Sequence, residues 1–466
     1  MNCIFCCIFN EEHYINMLFI LLESLFVFGN LTSNNEILIY TSSTFMEKIK
    51  QSNLFYSEFI KFKINDSYTS VDEACKARLD LFDFTNITKY DKILYLDTDI
   101  VIKDDINKVF DVCNDDLLYA FEEGVIDHES DYWGKSLFTD EEMEKYDNKR
   151  SFTSGVLLFK NCKNMHFLFE KIKEDMKTRT HFFHDQPFII YNAFKYQLFN
   201  NTDLNDFITN NNPDIHSKYV IHHFPGGPGV YQYKLVEIVK FSNTLKNCII
   251  NNNIENTKKY INQYLFPIIK NCGENLEGNI FTEHNTMTYT ELFLNKTKNI
   301  SNVVLNKNIK NVMEIGFNAG FSTLLMLMSN PNLSVKCFDL GEHSYTLPCF
   351  NKMKETFGDR IDIIIGDSTK TVKNEMSLFD VIHIDGGHST EVAKCDIENS
   401  LRLSKKGTII IMDDYNFGNL HELWDNYVES YDLQKLSNTV FDSEHHDIRY
   451  VKKTGIRRQK IVFKSK

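Results

Sequence analysis

The sequence predicts an α/β protein of two successive domains, each built on a mostly parallel sheet. Three observations carry this expectation. Short apolar runs alternate with helical stretches, the pattern of β-α-β units. Acidic residues end several of those runs, where ligands bind in doubly wound sheets. The alternation lapses in an Asn- and Lys-rich stretch near residues 240–285 and then starts afresh. A chain of 466 residues also exceeds one ordinary core. The expected boundaries are a first domain over 1–240, a linker or helical connection over 241–274, and a second domain over 275–466.

In the first half, Cys3 to Phe9 reads as a strand and Glu11 to Phe28 as a helix. Glu36 to Tyr40 is a strand, Phe45 to Gln51 a helix, and Val71 to Phe84 is helical. Lys92 to Leu96 is a continuous apolar strand of the buried parallel kind. The segment Ser154 to Phe159 reads as a further strand, with helices over Asn164–Lys177 and Gln186–Phe194. A glycine-rich loop, His222 to Gly229, closes this half. The second series has strands at Asn311–Ile315, Ser334–Phe338, Ile361–Ile365, Phe379–Ile384 and Thr408–Met412. Helices are expected over Gly320–Met328 and Thr390–Leu403, and an antiparallel hairpin over Asp447–Lys453 and Lys460–Lys464.

Composition bounds the function. Hydrophobic content of 42% and charged content of 25% are those of a soluble globular protein. A net charge of −13 without a Lys/Arg stripe excludes nucleic acid as an expected partner. The basic tail Arg457-Arg458-Gln459-Lys460 is read as a solvated turn. Eleven cysteines show no framework spacing, and Cys3-x-x-Cys6 lacks the second half of a zinc site. Reduced thiols and a cytoplasmic location are expected. Tyr14 to Phe28 lacks a basic flank and a cleavage site and carries Asn16 and Glu23, so it is read as a packed helix and no transmembrane segment is expected.

The strand Lys92–Leu96 runs directly into Asp97-Thr98-Asp99. Two carboxylates one residue apart at a strand's carboxyl end form a hard-oxygen claw. It suits Mg²⁺ or Mn²⁺ bridged to a diphosphate. This half resembles the retaining glycosyltransferases of the glycogenin-like family 8, over about the first 235 residues. The carrying segments are Lys89 to Asp99, Ser154-Gly155-Val156, Asp185-Gln186 and His223 in His-Phe-x-Gly. The resemblance implies a GT-A fold, with Tyr14 stacked on the base of a UDP-sugar and Arg78 facing the sugar-nucleotide. It implies Mn²⁺ (or Mg²⁺) on Asp97, Asp99 and His223, and Asp185 and Gln186 at the reacting face of the sugar. His222 stands beside His223 as an alternative ligand. Two positions depart from the family pattern. Gly226-Gly227-Pro228-Gly229 replaces its Lys-Pro-Trp, so backbone N–H groups or Lys234 would contact the diphosphate, and Ser154 stands where Asn is usual.

The second half opens with Val312 to Thr323, a strand, a glycine turn at Gly316 and Gly320, and a helix. The spacing lacks the Gly-x-Gly-x-x-Gly of dinucleotide folds. Later come Asp385-Gly386-Gly387-His388 and Asp413-Asp414, each after a strand. Over residues 275–466 the chain resembles class I S-adenosylmethionine-dependent O-methyltransferases of the catechol type, and more closely those that act on macrolide sugars. The resemblance implies a Rossmann-like fold and S-adenosylmethionine held by Glu314, Gly316, Gly320, Ser322, Asp339, Asp367 and Ser368. It implies Mg²⁺ on Asp385, Asp413 and Asp414, and His388 as general base. His383, inside a strand, is expected to be a satisfied core histidine.

Together these readings describe a bifunctional enzyme that transfers a hexose and methylates a hydroxyl, with a glycan or glycoprotein acceptor. The alternative is one active domain beside a glycan- or nucleotide-binding module.

Overall fold

The computed structural model describes residues 1–56, 58–146, 148–226, 231–436 and 441–452. The chain divides into two compact units, the first of residues 1–50 and 57–245, the second of 51–56 and 246–466.

The first unit contains β1 (Asn2–Ile8), β2 (Asn35–Thr41), β3 (Ile60–Ile64), β4 (Lys92–Leu96), β5 (Ile100–Ile102), β6 (Leu118–Val125), β7 (Arg150–Lys160), β8 (Phe199–Asn200), β9 (Ile208–Asn210) and β10 (Ile221–His223). The main sheet has the order β3-β2-β1-β4-β7-β6-β8. Strands β3, β2, β1 and β4 are parallel. Residues of β2 are buried along its whole length, as a strand covered on both faces requires. The helix His13–Val27 packs Leu18, Leu21, Leu22 and Leu25 without exposure, so the apolar stretch forms part of the core.

The sheet is not parallel throughout. β7 runs antiparallel to both β4 and β6. Burial on both faces makes a strand apolar in either direction, so the sequence pattern does not encode the reversal. The reversal matters for the site, because it sets Gly155 of β7 against the end of β4, with Asp97 N–H donating to the Gly155 carbonyl at 2.9 Å. A small sheet, β5-β10-β9, completes the edge. Antiparallel pairing of Ile100 with His223 brings the histidine beside Asp99.

The second unit contains β11 (Asn311–Ile315), β12 (Ser334–Asp339), β13 (Ile361–Ile365), β14 (Phe379–Ile384), β15 (Ser404–Met412), β16 (Leu433–Lys435) and β17 (Asp447–Val451). Their order is β13-β12-β11-β14-β15-β17-β16. The first five are parallel, and β17 runs antiparallel to β15 and β16. Among the described residues, β17 pairs antiparallel with the three-residue β16, which is too short to register in the sequence pattern. Lys460–Lys464 lies outside the described residues, as do Gly227 to Gly229 of the glycine loop.

The Asn- and Lys-rich stretch forms the helix Tyr231–Tyr260, a π-turn over Ile261–Leu265 and the helix Phe266–Cys272. Pro267 offers no N–H to the preceding turn, which accounts for the π-turn directly before it. Among the described residues, no helix is long and apolar enough to cross a membrane.

His222 gives the first unit a pH dependence. It is fully buried, its Nδ1–H donates to the Asn212 carbonyl at 2.7 Å, and its Nε2 accepts from the Ser217 hydroxyl at 3.0 Å. Burial lowers its pKa to about 4. In the unfolded chain an imidazole protonates near ~6.5. The unfolded state thus binds the extra proton first, and stability falls as pH drops through that window, by up to about 3 kcal/mol. Calorimetry of the full chain between about pH 7 and about pH 5 is expected to show this loss, and H222N to reduce it.

Candidate active sites

In the first unit, three side chains converge at the carboxyl end of β4. Asp97, Asp99 and His223 each offer a ligand atom, all within 4.8 Å of one another. Tyr95 hydroxyl donates to Asp97 Oδ1 at 2.6 Å. His223 Nδ1–H donates to Asn210 Oδ1 at 3.0 Å, and Asn210 in turn donates to Glu123. This fixes the tautomer and turns Nε2 toward Asp99 Oδ1, 3.5 Å away. His222, the alternative, faces the other way.

Two observations show that the set fits a dication. Asp99 Oδ1 is buried without a hydrogen-bond partner. A Cβ on Gly155 would lie 2.7 Å from His223 Nε2 and 3.0 Å from Asp97 Oδ2, so glycine keeps the space between the ligands open. Burial pushes the Asp99 carboxyl up, but His223 and Lys234 outweigh it and hold it below the ordinary range. The Lys234 ammonium lies 2.5 Å from Asp99 Oδ2, so this lysine, a sequence candidate for the diphosphate, pairs with Asp99 instead.

Arg78 bridges the rest of the site. Its guanidinium lies 2.9 Å from Asp185 Oδ2 and 3.8 Å from Asp97 Oδ1, donates to the Ser154 carbonyl at 2.6 Å, and stacks on Tyr95. Asp185 is 2% exposed at the start of the helix Gln186–Tyr196, where burial raises its pKa against the pull of Arg78. Gln186 Oε1 accepts from the Ser154 N–H and hydroxyl, both at 3.1 Å, which orients the amide. Tyr14 opens the helix after β1; burial and the charges of Asp99 and Asp97 push its hydroxyl up to about 12.

In the second unit, Asp385 follows β14, and Asp413 and Asp414 follow β15. Their ligand atoms also lie within 4.8 Å of one another. Asp414 has φ +48°, a left-handed backbone that lets adjacent aspartates serve one centre. His388 Nε2 lies 3.0 Å from Asp414 Oδ2. That hydrogen bond raises the His388 pKa against partial desolvation. Burial and the Asp413 charge hold the Asp385 carboxyl well above its usual range. Asp413 is held well below it, because Lys296 and His446 overcome the cost of burial. The Lys296 ammonium, on the helix Leu294–Val304, lies 2.5 Å from Asp413 Oδ1 and 3.5 Å from Asp414 Oδ1.

The glycine turn sits directly against this cluster. Gly316 has φ +93°, and a Cβ there would lie 1.9 Å from the Asp385 carbonyl oxygen. Only glycine fits the contact. Asp339 Oδ2 accepts from the N–H groups of Phe317 and Asn318, both at 2.8 Å, so it holds the turn in shape. Gly320 caps the helix Phe321–Ser329, whose first turn buries Ser322. Asp367 caps the helix Ser368–Thr371 through the Thr369 N–H and hydroxyl.

Glu314 is wholly enclosed, bonded to the Thr323 hydroxyl and, at 2.9 Å, to His383 Nδ1. Its carboxylate thus binds protein groups from the neighbouring strand and helix. His383 departs from the expected satisfied core histidine. It is buried, its pKa is pushed up to about 10 by Asp413 and Glu314 against desolvation, and its Nε2 has no hydrogen-bond partner.

Sequence reasoning missed Asn210, Lys296 and His446. Each lies far along the chain from the ligand it touches. The pair His445-His446 before a strand was the one weak signal.

Residues 30–201 match the family model for glycosyl transferase family 8, and residues 313–415 match that for a methyltransferase domain. No curated protein matches the chain. Among solved structures, the bifunctional glycosyltransferase WbbM in its apo form is 17% identical with a TM-score of 0.38, covering 51% of this chain, which spans 49% of that one. Mouse xyloside xylosyltransferase 1, apo form, is 14% identical with a TM-score of 0.34, over 48% of this chain and 98% of that one. The SAH-bound Podospora anserina methyltransferase PaMTH1 is 19% identical with a TM-score of 0.29, over 34% of this chain and 80% of that one. The chain carries a glycosyltransferase family 8 domain followed by a methyltransferase domain.

Proposed function

We propose that the chain catalyses two reactions on sugars. The first domain transfers a hexose from a UDP-sugar with retention, and the second transfers a methyl group from S-adenosylmethionine to a sugar hydroxyl. One observation carries the reading: in each unit, an acidic ligand set gathers at the carboxyl ends of parallel strands, beside a cationic side chain.

In the first domain, Asp97, Asp99 and His223 would hold Mn²⁺ or Mg²⁺. A dication there supplies charge neutralisation for the departing diphosphate. Arg78 and Lys234 add fixed positive charge, and Tyr14 offers an aromatic face for the base. Asp185 is held by Arg78 and Gln186 by Ser154, and both would act at the reacting face of the sugar. Preorganised groups of this kind need no rearrangement as charge develops.

In the second domain, Asp385, Asp413 and Asp414 would hold Mg²⁺, and the glycine turn at Gly316 would receive the cofactor. S-adenosylmethionine supplies an electrophilic methyl group on a sulfonium. A sugar hydroxyl is a weak acid, so its attack needs a base. His388, partly exposed and oriented by its Nε2–H bond to Asp414, would take the hydroxyl proton at Nδ1. Linking both domains in one chain raises the effective concentration of glycosylated product at the methylating site.

Separate substitutions test the pair of activities. D97N is expected to lower hexosyl transfer, read as UDP release, by at least ~100-fold and to leave methyl transfer intact. D385N is expected to do the reverse, read with radiolabelled methyl donor. If either substitution leaves both activities unchanged, its domain is a binding module. H388N is expected to lower methyl transfer by roughly 10²–10⁴. Because Asp414 raises the His388 pKa, the base is protonated and inactive at low pH. Methyl transfer by the wild type, as kcat/KM, should therefore rise with pH through a midpoint above about 6.5 and then level. A flat profile would remove His388 from the role.

A further inference from the structure

The methyltransferase domain holds a nitrogen-rich cluster beside its acidic one. We propose that His383, His446 and Asp413 form a binding site for a transition-metal dication of the Zn²⁺ class, sharing only Asp413 with the all-oxygen set of Asp385, Asp413 and Asp414.

Topology brings the three together. His383 lies on β14, Asp413 follows the adjacent β15, and His446 precedes the next strand, β17. The β15–β17 register pairs Met412 with Asp447, which sets Asp413 and His446 opposite one another one step further on. The side chains of all three are fully buried. Their ligand atoms lie within 4.8 Å of one another. His383 Nε2 is 3.4 Å from Asp413 Oδ2, and His446 Nε2 is 3.4 Å from Asp413 Oδ1.

Four atoms in this cluster lack hydrogen-bond partners: His383 Nε2, Asp413 Oδ2 and both ring nitrogens of His446. Buried polar atoms are seldom left so, because desolvation without a partner is costly. One ring nitrogen of His446 joins His383 Nε2 and an Asp413 oxygen within 4.8 Å, at the longer spacing of an unfilled ligand set rather than of hydrogen bonds. Lys296 already pairs with Asp413 Oδ1, which leaves Oδ2 for an ion.

The surroundings also suit a metal. His383 Nδ1–H donates to Glu314 at 2.9 Å. Metal binding would release the Nε2 proton that Asp413 and Glu314 hold on this ring, and the freed lone pair lies on the Asp413 side, the carboxylate–histidine arrangement that orients metal-binding imidazoles. Two imidazoles and one carboxylate favour Zn²⁺ and its neighbours, whereas Mg²⁺ favours oxygen alone.

Metal binding can be read without any assay of transfer. The full chain carrying D97N, which breaks the first unit's ligand set, would be stripped with chelator and titrated with Co²⁺. One tightly held Co²⁺ with the visible absorption of a nitrogen-ligated ion is expected. The band should persist in excess Mg²⁺ and in the added D385N substitution, and disappear in H446Q with the melting temperature of the chain checked alongside. X-ray absorption of the Zn²⁺-loaded D97N chain gives a second measure that requires no change at the cluster, and should show two imidazoles on the metal. No retained Co²⁺, a band displaced by Mg²⁺ or by D385N, a band unaffected by H446Q, or a first shell without imidazole would overturn the proposal. Absence of methyl transfer from the D97N chain with Asp385 intact and the band present would count against the proposed reaction and not against this site.

Discussion

Carboxylates crowded at strand ends repel one another, and burial removes the water that would screen them. The structure depends on how that repulsion is met. In each unit the answer is a cationic side chain brought from a distant helix. Lys234 reaches Asp99, and Lys296 reaches Asp413 and Asp414. Arg78 performs the same service for Asp185 and Asp97. These lysines stabilise clusters that would otherwise require protonation, as Asp385 illustrates where burial and the Asp413 charge outweigh Lys296 and His383. Lysine side chains are long and flexible, so they can yield the carboxylates to a dication without disturbing the backbone.

The framework beneath both clusters is conventional for strands buried on both faces. Side chains at the strand ends are presented by apolar runs that have no freedom to turn over, since a one-residue slip would reverse every side chain. Precision comes from polar contacts behind the ligands. Asn210 and Glu123 orient His223, while Asp339 shapes the glycine turn. Losing such a group would leave the ligands present and misdirected.

Much of this was legible in the sequence. Continuous apolar runs revealed the strands, and acidic residues after them marked Asp97, Asp99, Asp385, Asp413 and Asp414 as neighbours of a ligand site. Local patterns failed wherever the answer lay in pairing. The reversed direction of β7, the three residues of β16 and the approach of Lys296 are set by tertiary contacts between segments remote in the chain. His383 shows the same limit from another side. Its place in an apolar strand predicted burial, but not that Glu314 and Asp413 would face its two nitrogens.

The contact between Gly316 and the Asp385 carbonyl has a mechanical consequence. No side chain separates the two strand tips, so neither can shift toward the other without backbone collision. The glycine turn and the loop that begins the acidic cluster are locked in step by hard-core exclusion. The spacing between the turn and the acidic cluster is therefore a property of the main chain rather than of any replaceable side chain.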